Sequence, residues 1–209
     1  RFCVDRLVRC SRGAVVAAAL SATVAVPAAE NWPQWRGPSL NGISAEKNLP
    51  LRWSATENVA WKLPLPAWSG STPIVWGNHV FLTQASDGGK NRGLLAFARG
   101  DGKLQWQHGL PCAAQETTHK QNPPCSASPV TDGTHVWVMT GTGILKAFDF
   151  SGAERWSRDI QKDYGRFGLQ WGYGSSPLLY RDALYVQVLH GMRTDDPSYV
   201  LRIDTATGR

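Results

Sequence analysis

At 209 residues the chain has room for one or two ordinary domains, and its ten tryptophans, 21 glycines and 13 prolines suit short strands joined by turns and exclude a helical bundle. Half of the +6 net charge falls in the first 29 residues, where Arg1, Arg6, Arg9 and Arg12 face only Asp5. The remaining charges are mixed in sign and form no basic run, which excludes a nucleic-acid-binding surface.

The first segment, residues 1–28, reads as a signal peptide. Arginines up to Arg12 precede an apolar core from Gly13 to Val26, too short to span a bilayer, and Val26-Pro27-Ala28 offers small residues for cleavage near Ala28. An uncleaved anchor is the other reading of the same pattern. Cleavage leaves a periplasmic or secreted protein that does not span a membrane. The chain starts at Arg1 without an initiator methionine, so its N-terminus reads as incomplete. Cys3 and Cys10 would leave with the signal. Cys112 and Cys125 remain, and in an oxidising compartment they either form a bridge contributing about 3 kcal/mol or stay as two buried thiols.

Residues 29–58 have little periodicity and are expected to form an extended lead-in pinned by Trp32, Trp35 and Trp53. Val59 to Leu63 reads as an isolated strand centred on Trp61. From there to residue 209 one unit recurs. Each copy opens on a proline (Pro73, Pro129, Pro177) and continues into a strand rich in β-branched and aromatic residues: His79 to Thr83, His135 to Met139, Ala183 to Val188. A hairpin follows, LLAFARGDGKLQW from Leu94 to Trp106, repeated from Leu145 to Trp156 and begun again at Val200. Turn residues Asn78, Gly133 and Asp182 separate the first and second strands, and Gly141-Thr142-Gly143 is a turn and not a nucleotide fingerprint. Periods of 45 to 56 residues with four short strands predict an all-β fold, a β-propeller of four-stranded antiparallel blades. About three blades are present. Three cannot close a ring, so the chain reads as a partial propeller, a fragment of a longer protein.

The hairpin resembles the pyrroloquinoline-quinone (PQQ) repeat, Ala-x-Asp-x-x-Thr-Gly-x-x-x-Trp. Ala96, Gly102 and Trp106 match at full spacing, with Ala98 in place of the aspartate and Asp101 in place of the threonine. The second copy keeps Ala147, Asp149, Gly152 and Trp156 but is one residue shorter; the third keeps Asp204, Thr207 and Gly208. Trp32 to Pro38 is similar to the lead-in of secreted bacterial members. The resemblance implies that each tryptophan docks on the adjacent blade, a structural role. It also implies a family that holds quinoprotein dehydrogenases, a scaffold subunit of outer-membrane assembly and propellers of no known activity, so fold does not decide function.

In a propeller, functional groups collect on the connections between blades. Residues 112–127 hold Glu116, His119, Lys120 and Asn122; residues 161–175 hold Asp163, Tyr164, Arg166, Trp171 and Tyr173. Glu116 and His119 are candidate cofactor or metal ligands, against a solvated polar loop, and Trp171 is a candidate stacking residue, against a packing role. A quinoprotein dehydrogenase would need PQQ held between flat groups with calcium on its carbonyl. The adjacent cysteine pair of the alcohol-dehydrogenase branch is missing, no calcium loop is visible, and no hydrolase or phosphate-binding motif occurs. The sequence therefore predicts an exported binding or scaffold module with a protein partner or small ligand at a propeller face. The alternative is a PQQ-dependent oxidoreductase whose active residues lie mostly outside these 209.

Overall fold

The computed structural model of the chain describes residues 31–112, 116, 118–191 and 194–209. The expected signal peptide therefore lies outside the described residues. Three antiparallel sheets follow one another along the chain. The first contains β1 (Ile74–Trp76), β2 (His79–Ser86), β3 (Asn91–Ala98) and β4 (Leu104–Gly109) in that spatial order. The second contains β5 (Val130–Thr131), β6 (His135–Met139), β7 (Ile144–Asp149) and β8 (Glu154–Asp159). A short helix, α1 (Ile160–Tyr164), leads to the third sheet of β9 (Leu178–Tyr180), β10 (Ala183–Val188) and β11 (Tyr199–Asp204). These are consecutive propeller blades, two with four strands and one with three.

Alternation along the middle strands builds the core. Val136, Val138 and Phe148 of the second sheet pack on Ile74, Phe81, Leu94 and Ala96 of the first. Their neighbours Trp137, Met139, Leu145 and Ala147 point the other way, onto Leu184, Val186, Val188 and Ile203 of the third. A strand buried on both faces needs this apolar run without polar interruption. The motif alanine stands opposite the motif tryptophan in each complete hairpin, Ala96 beside Trp106 and Ala147 beside Trp156, and both ladders slip register at the next residue. That shared bulge turns the end of the hairpin inward at the same place in both sheets.

Each indole reaches the next unit. Trp61 Nε1 donates to Arg99 O at 2.8 Å, Trp106 Nε1 to Phe150 O at 2.9 Å and Trp156 Nε1 to Thr205 O at 2.9 Å. The rings lie over Gly102, Gly152 and Gly208, so close that a Cβ there would meet a Trp ring carbon at 2.6, 3.1 and 2.7 Å respectively. All three glycines have positive φ, which alone would favour glycine.

Two expectations fail. Residues 59–63 form no strand: Trp61 supplies its indole from irregular chain, because no sheet among the described residues offers Val59 to Leu63 a ladder to join. Of the three tryptophans expected to pin the lead-in, Trp32 does so. Trp32 exchanges backbone hydrogen bonds with Val75, whereas Trp35 and Trp53 are exposed.

Candidate functional site

The first strands of the three units lie side by side, and the segments that lead into them meet at one end of the molecule. Polar side chains stitch these starts together. Ser128 Oγ accepts from Thr72 N at 2.8 Å, and Ser176 Oγ accepts from Ser128 N at 2.9 Å. Each of the three residues directly precedes the opening proline of its unit, so a hydroxyl replaces the backbone pairing that adjacent blades cannot make. Three positions from each proline stand Gly70, Ser126 and Gly174. A Cβ on Gly70 would meet Ser126 Oγ at 2.6 Å, and one on Gly174 would meet Asn122 Oδ1 at 2.9 Å. Close approach of the blades is therefore what selects glycine here.

The two segments singled out from the sequence do come together. Asn122 Nδ2 donates to Trp171 O at 2.7 Å, joining the 112–127 and 161–175 connections. Below this junction opens a cavity of about 960 Å³ whose lining includes Trp35, Asn122, Ser126, Ser175, Tyr185 and Gln187. Among the described residues no aspartate, glutamate, lysine, arginine or histidine lines it. Ser175 Oγ donates to Gln187 Oε1 at 2.7 Å, and Tyr173 Oη donates to Gln187 O at 2.9 Å. Tyr173 is buried and stacked on Phe167 with centroids 4.6 Å apart, and burial pushes its phenol well above the usual range.

The candidate residues themselves are dispersed. Glu116 turns to Arg92 on β3, with Nη2 3.1 Å from Oε1 and the side chains 2% and 10% exposed. Arg92 Nε also donates to Gly89 O at 3.2 Å, while Arg92 Nη1 and Glu116 Oε2 are buried without a partner. Burial holds the Glu116 carboxyl above its ordinary value and the arginine only partly opposes this. His119 sits in a tight turn, its Nδ1 accepting from Gln121 N at 3.2 Å and its carbonyl accepting from Asn122 N at 2.8 Å. Glu116 and His119 are thus in separate environments, and among the described residues no three His, Cys, Asp or Glu side chains are grouped to hold a metal ion. Trp171 is 70% exposed and does not line the cavity. Asp163 is taken by Arg158, whose Nη2 lies 2.6 Å away. Cys112 and Cys125 are not joined by a disulfide; Cys125 is buried, and desolvation pushes it up to about 11.

Sequence reasoning missed Trp35, Gln187 and Arg92. Only Arg92 left a signal, a lone charge at the head of the apolar run Leu94 to Phe97. The 161–175 segment also begins as a helix and not a loop: Asp159 caps α1 by accepting from Lys162 N at 3.0 Å.

Among the described residues no helix is long and apolar enough to cross a membrane. The sequence matches the family described as outer membrane protein assembly factor BamB over residues 43–166 and 92–209. No curated protein is similar to it in sequence. Among solved structures, the quinohemoprotein alcohol dehydrogenase of Comamonas testosteroni superimposes with a TM-score of 0.57 at 15% identity, covering 87% of this chain and 26% of that one. BamB of Moraxella catarrhalis gives 0.49 at 20% identity, covering 74% of this chain and 42% of that one. A quinohemoprotein alcohol dehydrogenase of Pseudomonas putida HK5 gives 0.49 at 21% identity, covering 72% and 21%. The chain thus spans less than half the length of each of these structures.

Proposed function

This chain belongs to the PQQ-like repeat family described by outer membrane protein assembly factor BamB, and from that premise we propose that it is an exported β-propeller module that binds a partner or ligand and carries out no chemistry of its own. The observation that supports binding over catalysis is the cavity at the gathered strand starts: roomy, lined by aromatic, aliphatic and neutral polar groups, and without a charged side chain among the described residues. PQQ does not fit it. A quinone bearing three carboxylates calls for cations, and its calcium for carboxylates, and the described residues of the lining supply neither. Cys112 and Cys125 stand 13 positions apart and cannot form the vicinal wall of the alcohol-dehydrogenase branch. In the exported protein these two thiols are the candidate bridge, read out by peptide mapping without reductant. Equilibrium dialysis with PQQ and calcium, followed by dye-linked oxidation of alcohols, tests the reading. The expected result is no retained quinone and no turnover. Quinone retained by the wild type and lost in Asn122→Ala, with turnover, would overturn it in favour of an oxidoreductase.

A further inference from the structure

We infer that the ligand of this cavity is a neutral carbohydrate, an inference that rests on the binding reading above and gives it a chemical class. Three observations carry it. First, among the described residues the lining offers hydroxyls and amides but no charge: Ser126, Ser175, Asn122 and Gln187 can each share a hydrogen bond with a sugar hydroxyl, which both donates and accepts. An ionic ligand would lose its hydration here and meet no counter-charge, whereas a neutral polyol trades water for equivalent partners. The hydroxyl of Ser175 occupies the Gln187 Oε1, which leaves the Gln187 NH₂ as a donor held in a fixed direction.

Second, flat apolar faces stand beside those polar groups. Trp35 lines the cavity and is 58% exposed, and Tyr185 lines it from β10. An exposed indole is a costly surface unless something covers it, and the C–H face of a pyranose suits that surface while its hydroxyls reach the amides around it.

Third, the backbone at the inner edges of the first two sheets is already engaged. An extended peptide would add to a free strand edge, but the inner edge of β1 is paired to Trp32 through Trp32 N to Val75 O at 2.7 Å and Val75 N to Trp32 O at 2.9 Å. Thr131 N of β5 donates to Pro33 O at 2.9 Å, and the amides of Thr72 and Ser128 are taken by serine hydroxyls. At these two strand starts recognition therefore runs through side chains, as it does for a sugar.

The test is titration of the protein by calorimetry and by intrinsic tryptophan fluorescence with cellohexaose, maltohexaose and chitohexaose, beside oligogalacturonate and a heparin hexasaccharide. One neutral series is expected to saturate with a fluorescence change, and the two charged series to give none. Trp35→Ala and Gln187→Ala, both at exposed side chains and checked for folding by circular dichroism, are each expected to weaken that binding at least tenfold. Absence of binding by all three neutral series, equal binding of a charged series, or full affinity in both variants would overturn the inference. If sugars fail while quinone is also rejected, the binding reading stands and only the carbohydrate falls. If quinone is retained with turnover, both fall.

Discussion

Asp149 and Asp204 occupy the same place in successive hairpins and organise the turn in the same way. Asp149 Oδ1 accepts from Ser151 N, Ser151 Oγ and Ala153 N, while Asp204 Oδ1 accepts from Ala206 N, Thr207 N and Thr207 Oγ1. The serine and threonine hydroxyls, first among these donors, hold both carboxyls below the usual carboxylate range. A depressed folded value means stability that is present above the unfolded pKa and lost as pH falls through the folded one, so these turns weaken in acid below about 3.8. The first hairpin has Ala98 there and makes do with Asp101 accepting from Lys103 N. Ala98→Asp combined with Asp101→Thr rebuilds the motif, and thermal unfolding at pH 7 is expected to show a gain of about 1 kcal/mol that disappears at pH 2. Glu116 behaves in the opposite sense: its carboxyl is raised by burial, so its contribution is full below about 4.5 and is lost as pH rises through the folded value. Spacing alone paired Glu116 with His119. The true partner, Arg92, comes from an adjoining strand 24 positions upstream, a distance that no local pattern reveals. The thiols give a further check at this scale. With Cys125 at about 11, only on the order of 0.1% is thiolate at pH 8, so a disulfide-reagent titration of the reduced protein is expected to label Cys112 first and Cys125 on a much slower phase until the protein unfolds.

At the scale of elements, the strands could be read because each is a short apolar or alternating run fenced by Pro, Gly, Asn or Asp, and each hairpin repeats. Helix α1 could not: five residues show no period, and only Asp159 before Ile160 hints at a start. Its function in the fold is to carry Gln161, whose Nε2 donates to Thr142 O at 2.7 Å and whose Oε1 accepts from Phe167 N at 2.7 Å. One side chain thus fixes the 161–175 connection to the β6–β7 turn, and through Trp171 and Asn122 to the roof of the cavity. Removing the cap by Asp159→Ala is expected to cost about 1 kcal/mol and to raise amide exchange from Gln161 to Phe167 while leaving β6 and β7 protected. If β6 and β7 lose protection equally, α1 is part of the sheet's cooperative unit and not an appendage. The isolated strand expected at Val59 to Leu63 fails for the converse reason. Its sequence suits a strand, but a strand exists only where a neighbour can accept its hydrogen bonds, and no such neighbour is among the described residues.

Across the molecule, the main contacts among the described strands run from each blade to the next, so stability is a sum of sheet terms and joint terms, as in other repeat arrays. The joints were legible in the spacing of Trp61, Trp106 and Trp156, because a large ring recurring once per unit after a glycine turn has few other uses. The cavity was not legible, because its lining comes from all three units and from Trp35 in a segment that carries no period. Two equivalent glycines now separate joint from sheet. At Gly152, φ is 92° and an added Cβ would meet His108 Nε2 at 2.8 Å and the Trp106 ring at 3.1 Å; at Gly208, φ is 70° and it would meet the Trp156 ring at 2.7 Å. Alanine at either site brings the same two penalties, left-handed backbone and a displaced indole, together worth about 2–3 kcal/mol. Their consequences differ by position. Gly208→Ala loosens the joint between the second and third sheets, so exchange is expected to rise in β9 to β11 while β1 to β8 keep their protection. Gly152→Ala loosens the joint between the first and second, leaving the third tied to the second by Trp156 and by Arg158 Nη1 donating to Gly208 O. Exchange should then rise in β1 to β4 and leave β10 unchanged. Uniform loss of protection in both variants would show that the three sheets unfold as one body and that the joints are stronger than the sheets they connect.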